Sequence, residues 1–304
     1  MSGIPPHSSS ILDYFVVDVF SATGLAGNPL AVVMNTAALT TEQMQAIARE
    51  FNLSETTFVE RRSAAVEAVE GVRVRIFTTG EELQFAGHPT LGTASVLRLT
   101  APETVCDGVV TLAENVGPIP VRFAGDGLYG VMTQRDPEFG DELDRAEVAR
   151  LCGLSIDDLD PQTAPQVVST GTAFAIVLLR SVEALKRLRV LDLEATDWLR
   201  SRGARWFYVL APATGDSGAP RFRARMQFHG GEDPATGSAA GCAICYLVGR
   251  GMVGSDQQIH VRQGVEIGRP SDLYLTAREH GSRVSDVRVG GSTVPVAKGQ
   301  LFLP

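Results

Sequence analysis

Two short stretches carry most of the chemistry this sequence can offer. One is Glu232-Asp233-Pro234-Ala235-Thr236-Gly237-Ser238-Ala239-Ala240-Gly241, and the other is His88-Pro89-Thr90-Leu91-Gly92-Thr93-Ala94. Laid on each other they share the pattern polar-Pro-x-x-Gly-[Ser/Thr]-Ala. Asp233 suits a helix N-cap and Pro234 a first helical residue, which predicts a helix over 234–248. His88 stands in the same place before a helix predicted over 89–99. A helix start presents unpaired N–H groups and the positive end of the dipole, so it can hold an anion. Gly237, Ser238 and the alanines let a ligand approach the backbone. His88 alone reads equally as a cap; paired with Asp233 across a cleft it makes an acid/base arrangement. Ser238 and Thr93 either bond back to their own helix turn or donate to a carboxylate.

Other chemistry is weaker. Glu55, beside Ser54 in a helix-to-strand turn, reads by itself as a solvated carboxylate. Cys242 and Cys245 have the spacing of a redox or zinc pair, but lie mid-helix in an apolar stretch without a matching ligand pair. His229 with Glu232 and Asp233 is a further, weak metal candidate. No Gly-x-Ser-x-Gly elbow, dinucleotide fingerprint or Walker loop occurs, so neither a serine hydrolase nor a nucleotide cofactor is implied. No metal and no cofactor is expected.

The surrounding pattern must position these residues. Val72 to Phe77 and Phe222 to Phe228 alternate apolar and polar residues, as half-exposed strands do. Each precedes one copy of the repeat. Thr40 with Gln43 forms a capping box ahead of Met44, Ile47, Ala48 and Phe51, a helical face. A short helix is predicted over 141–152. The stretch 234–248 is apolar all round, so it must be buried on every side. With mostly short antiparallel strands elsewhere, the natural cover is a curved sheet. The expected fold is therefore α+β: two pseudo-symmetric domains, each a mainly antiparallel sheet around a central apolar helix. The division expected is 1–124 and 125–304, with the last strand, about 294–304, able to return to the first domain. The cleft lies between them, as small-molecule sites often do.

With 304 residues, 44% hydrophobic and 20% charged, the chain can build full cores. Its net charge of -8 argues against a nucleic-acid surface. The four cysteines suggest no disulfide framework, and residues 1–10 lack a signal pattern and read as a frayed tail. No apolar run spans a bilayer. A cytoplasmic protein without membrane or nucleic-acid partners is expected.

These same residues resemble the phenazine-biosynthesis isomerase (PhzF-like) family. The resemblance spans nearly the whole chain. It is carried by Asp18-Val19-Phe20, Gly27-Asn28-Pro29-Leu30-Ala31-Val32, Asn52-Leu53-Ser54-Glu55-Thr56-Thr57-Phe58-Val59, Ala86-Gly87-His88-Pro89, Val168-Ser169-Thr170-Gly171, Glu232 to Ala239, and Gln263-Gly264-Val265-Glu266. It implies a diaminopimelate epimerase-like fold and a homodimer. It makes Glu55 the acid/base residue, with His88, Asp233, Ser238, Ser54, Gly87 and Gly237 binding or orienting the substrate. His88 and Asp233 stand where the epimerase has two cysteines, so a two-thiol mechanism is excluded there. The implied reaction is a cofactor-independent proton shift within a small carboxylate-bearing molecule, as for trans-2,3-dihydro-3-hydroxyanthranilate. The alternatives are an amino-acid-type racemase or epimerase and a non-catalytic metabolite-binding protein. Thr79, Gln84 and Gly171-Thr172-Ala173-Phe174 depart from the family pattern near the expected cleft, and bear on the substrate more than on the reaction class.

Overall fold

The computed structural model describes residues 11–214, 220–228, 231–281 and 283–303. The tail at 1–10 and the metal candidate His229 lie outside the described residues.

One long strand organises the sheet. Arg283–Phe302 pairs antiparallel with Ser271–His280 through its first part, with Tyr129–Thr133 in its middle and with Ile11–Val19 through its end. From Ile11–Val19 the pairing runs on to Asn28–Val33, Glu55–Glu60, Val72–Phe77, Val109–Glu114, Gly117–Phe123 and back to Tyr129–Thr133. This closes a ring around the helix Gly87–Thr100. In the other direction the pairing runs from Ser271–His280 through Ile259–Gln263, Arg221–Arg225, Trp206–Ala213, Ala173–Leu178 and Gln166–Ser169 to Glu138–Glu142. That sheet curves over the helix Gly237–Gly249. The result is a mixed α/β fold whose strand-rich sheet closes into a barrel-like arrangement.

The strand period of two sorts the core. Phe174, Ile176 and Leu178 face the helix Gly237–Gly249, while Ala175, Val177 and Leu179 meet an outer layer of short helices. The central helix is buried from Gly237 to Val248, as its apolar circumference requires. Thr40 and Gln43 form both bonds of the capping box at the start of Thr41–Phe51. Asn52 ends that helix in the left-handed conformation, φ 52°, and delivers Glu55 to the head of its strand.

Three expectations about elements need correction. The helix predicted from Pro234 begins at Gly237, with Thr236 at the N-cap, because Asp233 is tied to other parts of the fold. The helix predicted from Pro89 begins two residues earlier, at Gly87, so His88 lies inside it and is not a cap. The helix predicted over 141–152 is a strand, Glu138–Glu142, followed by a shorter helix, Arg145–Leu151, capped by Asp144. That strand is exposed along its length, so no alternation of hydrophobicity marks it.

Candidate active site

The two helix starts touch. A Cβ on Gly87 would lie 2.5 Å from the Ser238 amide nitrogen and 2.6 Å from the Gly237 carbonyl carbon. Only glycine allows this approach, so Gly87 and Gly237 form a contact between helices behind the site. The Gly237 carbonyl also accepts a 2.9 Å hydrogen bond from Gln134 Nε2.

In front of this contact is a cavity of about 550 Å³, lined at its polar end by Ser54, Glu55, Asp233, Thr236 and Ser238. Leu83, Phe85, Phe174, Trp206, Met226 and Phe228 form its apolar side. His88 is 3% exposed and stands behind Glu55, its Nε2 3.4 Å from Glu55 Oε2. Of the residues departing from the family pattern, Thr79, Thr172 and Phe174 line the cavity; Gln84 does not. Thr93 bonds the barrel wall instead, its hydroxyl 2.8 Å from that of Thr57. Gly92 packs against Leu30 and Val19, so the backbone near it does not face the cavity.

Asn28 joins the two repeat positions. Its Nδ2 lies 2.7 Å from Asp233 Oδ1, 2.8 Å from the Ala235 carbonyl and 3.1 Å from His88 Nδ1. The amide nitrogen only donates and has two hydrogens, which the two shortest contacts, to Asp233 and Ala235, use first; an N–H on His88 Nδ1 would point at this donor. His88 Nδ1 is therefore unprotonated, and the ring proton of the neutral imidazole sits on Nε2, facing Glu55. Burial holds His88 down to about 3, so the neutral ring persists at ordinary pH.

Asp233 is held on both oxygens. Thr236 Oγ1 donates to Oδ2 at 2.6 Å, and Gln263 Nε2 donates to Thr236 Oγ1 at 2.9 Å and to the Asp233 carbonyl at 2.8 Å. Tyr208 donates to Gln263 Oε1 at 3.1 Å. Burial pushes Asp233 up to about 7, against the lowering effect of the Thr236 and Asn28 hydrogen bonds. Glu55 is also raised well above the usual carboxylate range, first by burial and then by the charge of Asp233. Its side chain is 17% exposed, on the cavity wall. The site thus holds two carboxyls that burial raises above the usual carboxylate range, Asp233 hydrogen-bonded on both oxygens and Glu55 on the cavity wall.

The loop bearing Asn28 is clamped from below. Asp18, buried in its strand, accepts from Arg269 Nη2 at 2.6 Å and from the Leu25 amide at 2.6 Å. Arg269 also donates to the Gly27 and Ala26 carbonyls.

The model for the family described as phenazine biosynthesis-like protein (PhzC-PhzF) matches residues 17–299. The chain belongs to the PhzF family. Trans-2,3-dihydro-3-hydroxyanthranilate isomerase of Pseudomonas aeruginosa is 37% identical over 303 residues, covering 95% of this chain and 99% of that one. The crystal structure of a PhzF-family phenazine biosynthesis protein from Bacillus anthracis superposes with a TM-score of 0.84 at 24% identity, covering 97% of this chain and 100% of that one. A hydroxyproline epimerase from Agrobacterium vitis, at 11% identity and a TM-score of 0.63, covers 97% and 92% and shares the fold alone.

In this PhzF-family chain, spacing alone did not single out Asn28, Thr236, Gln263 or Tyr208. Asn28, Thr236 and Gln263 lie in segments that carry the family resemblance, which is the one signal that reaches them; Tyr208 lies in none. Among the described residues no group of three metal-ligating side chains occurs. Burial pushes the Cys242 thiol up to about 11 and raises Cys245 too, so neither is an activated thiol.

Proposed function

We propose that this protein is a cofactor-independent isomerase that moves a proton between two carbons of a small carboxylate-bearing substrate. Glu55 as carboxylate takes the proton from one carbon. The C–H electron pair stays on the substrate as a delocalised anion, and the resulting acid returns the proton to another carbon. The observation that carries this reading is a cavity-wall carboxyl whose pKa burial has raised, beside a neutral His88 with its N–H toward it. His88 and Asp233 orient the substrate's polar groups. Ser238, at the start of its helix, and Ser54 are placed to donate to the substrate carboxylate. Gly87 and Gly237 serve the site by setting the distance between the helix starts. The name of the Pseudomonas relative makes a dihydro-hydroxyanthranilate the first substrate to try. The same reading takes residues 1–124 and 125–304 as two pseudo-symmetric halves meeting at the cleft, in a homodimer.

The test is proton exchange in deuterated water over a panel of small carboxylates that includes dihydro-hydroxyanthranilates. Glu55→Gln should abolish deuterium incorporation while the fold persists; unchanged exchange would remove Glu55 from the role. A second reading, racemisation or epimerisation at one carbon, is favoured by the presence of two raised carboxyls, Glu55 and Asp233, on one cavity. A chiral product assay separates the two.

A further inference from the structure

The apolar side of the cavity has a composition that proton transfer does not require. Phe174 and Trp206 are register partners on parallel strands, and their rings stand 5.9 Å apart at 35°. Phe228 meets Trp206 edge-on, at 6.0 Å and 66°. The Arg205 guanidinium lies 4.6 Å from the Trp206 ring centre, and Phe85 lines the cavity from the other half of the chain. At about 550 Å³ the cavity is of the size that takes a drug-sized ligand, roughly 300–1,000 Å³. An acid filling only the polar end would leave this wall facing water.

We propose that this wall is a site for an aryl group carried by the substrate, so that the ligand has two parts: an acid at Glu55, Asp233 and Ser238, and a flat ring against Trp206, Phe174 and Phe228. The proposal rests on the isomerase reading in taking the reacting end to Glu55; the aryl wall stands on its own residues. All three rings line the cavity, and another aromatic ring meets such rings in offset or edge-to-face contact. A saturated ring of the same size gains burial alone.

The chain has two tryptophans, Trp198 and Trp206. Trp198 lies in the outer layer against Phe207 and Arg202 and does not line the cavity. Trp198→Phe therefore leaves Trp206 as the reporter. In that background the full chain is titrated with propanoate, 3-cyclohexylpropanoate and 3-phenylpropanoate. The expected result is a saturable change in Trp206 emission, with the phenyl acid bound about five- to tenfold more tightly than the cyclohexyl acid and propanoate weakest. Phe228→Ala, its fold checked by circular dichroism, should erase that preference. Equal affinity for the two ringed acids, or no response of Trp206 to either, overturns the proposal. The titration repeated in Glu55→Gln should keep the preference. If no carboxylate exchanges protons in the wild-type protein while the preference holds, the isomerase reading fails and the aryl site stands.

Discussion

His88 Nε2 stands 3.4 Å from Glu55 Oε2, and among the described residues neither atom has a hydrogen-bond partner. On the ring's other side, His88 Nδ1 faces Asn28, which also holds Asp233. The imidazole thus hands a fixed N–H toward the proposed base, while the second carboxyl is tied to the same amide.

The pH profile of turnover follows from this division. Burial holds His88 down to about 3 and pushes Asp233 up to about 7. A limb near pH 7 therefore belongs to the interacting Glu55 and Asp233 carboxyls and not to His88. His88→Gln should slow turnover by roughly 10- to 100-fold, the worth of a hydrogen bond to a charged group, and keep the limb. Asp233→Asn should move it down, because the charge of Asp233 raises Glu55. A limb lost with His88 and unmoved without Asp233 contradicts the assignment.

Asn28→Ala strips a donor from Asp233 and releases the His88 tautomer. Since that donor lowers the Asp233 pKa, the limb near pH 7 should move upward, and kcat should fall more than KM rises. A purely structural role would lower stability and leave the limb in place. Rate measurements between pH 5 and 9 decide.

Glu114 offers a stability test away from the chemistry. Thr90 Oγ1 is 2.7 Å from the Ala86 carbonyl and 2.5 Å from Glu114 Oε1. One hydroxyl proton cannot serve both acceptors, so a protonated Glu114 donates to Thr90, which donates to Ala86. Burial pushes Glu114 up to about 8, against 4.5 for an ordinary glutamate. Between those values the folded state binds more protons than the unfolded one, so stability falls as pH rises through the window. Glu114→Gln should flatten the fall and gain on the wild type between pH 5 and 9. Urea midpoints at pH 5, 7 and 9 measure it; parallel curves would show that Glu114 is ionised in the fold.

The Asp18–Arg269 pair should matter to both stability and rate. Arg269→Ala leaves a buried carboxylate with the Leu25 amide and frees the Gly27 and Ala26 carbonyls. The cost should be about 1.5–3 kcal/mol, the range for hydrogen bonds to charged groups; the 28% exposure of Arg269 argues for the lower part. Because the loop carries Asn28, turnover should fall at temperatures where the variant remains folded. Full activity at matched folding would detach the clamp from the site.

Local signals were legible where the physics is local. The Thr40–Gln43 box, the alternation in Val72–Phe77 and the apolar circumference of Gly237–Gly249 each depend on residues a few positions apart, and each element formed. The exposed strand Glu138–Glu142 carries no such signal, and its last two residues fall within the helix predicted over 141–152. Pro234 also misled: it suits a helix start, but Asn28 and Thr236 hold Asp233 outside the helix.

The amino-acid sequence by itself determined the kinds of group available: two Pro-Gly repeats headed by His88 and Asp233, small residues at both helix starts, and an apolar helix that must be enclosed. Glu55 came from the family resemblance, since nothing in its spacing marks it. Tertiary structure alone decided which groups meet. Asn28 lies 60 positions from His88 and 205 from Asp233, and its single amide sets the ring tautomer and holds the carboxyl. Burial, a property of the closed sheet and not of any one segment, raised the two carboxyls and kept the histidine neutral.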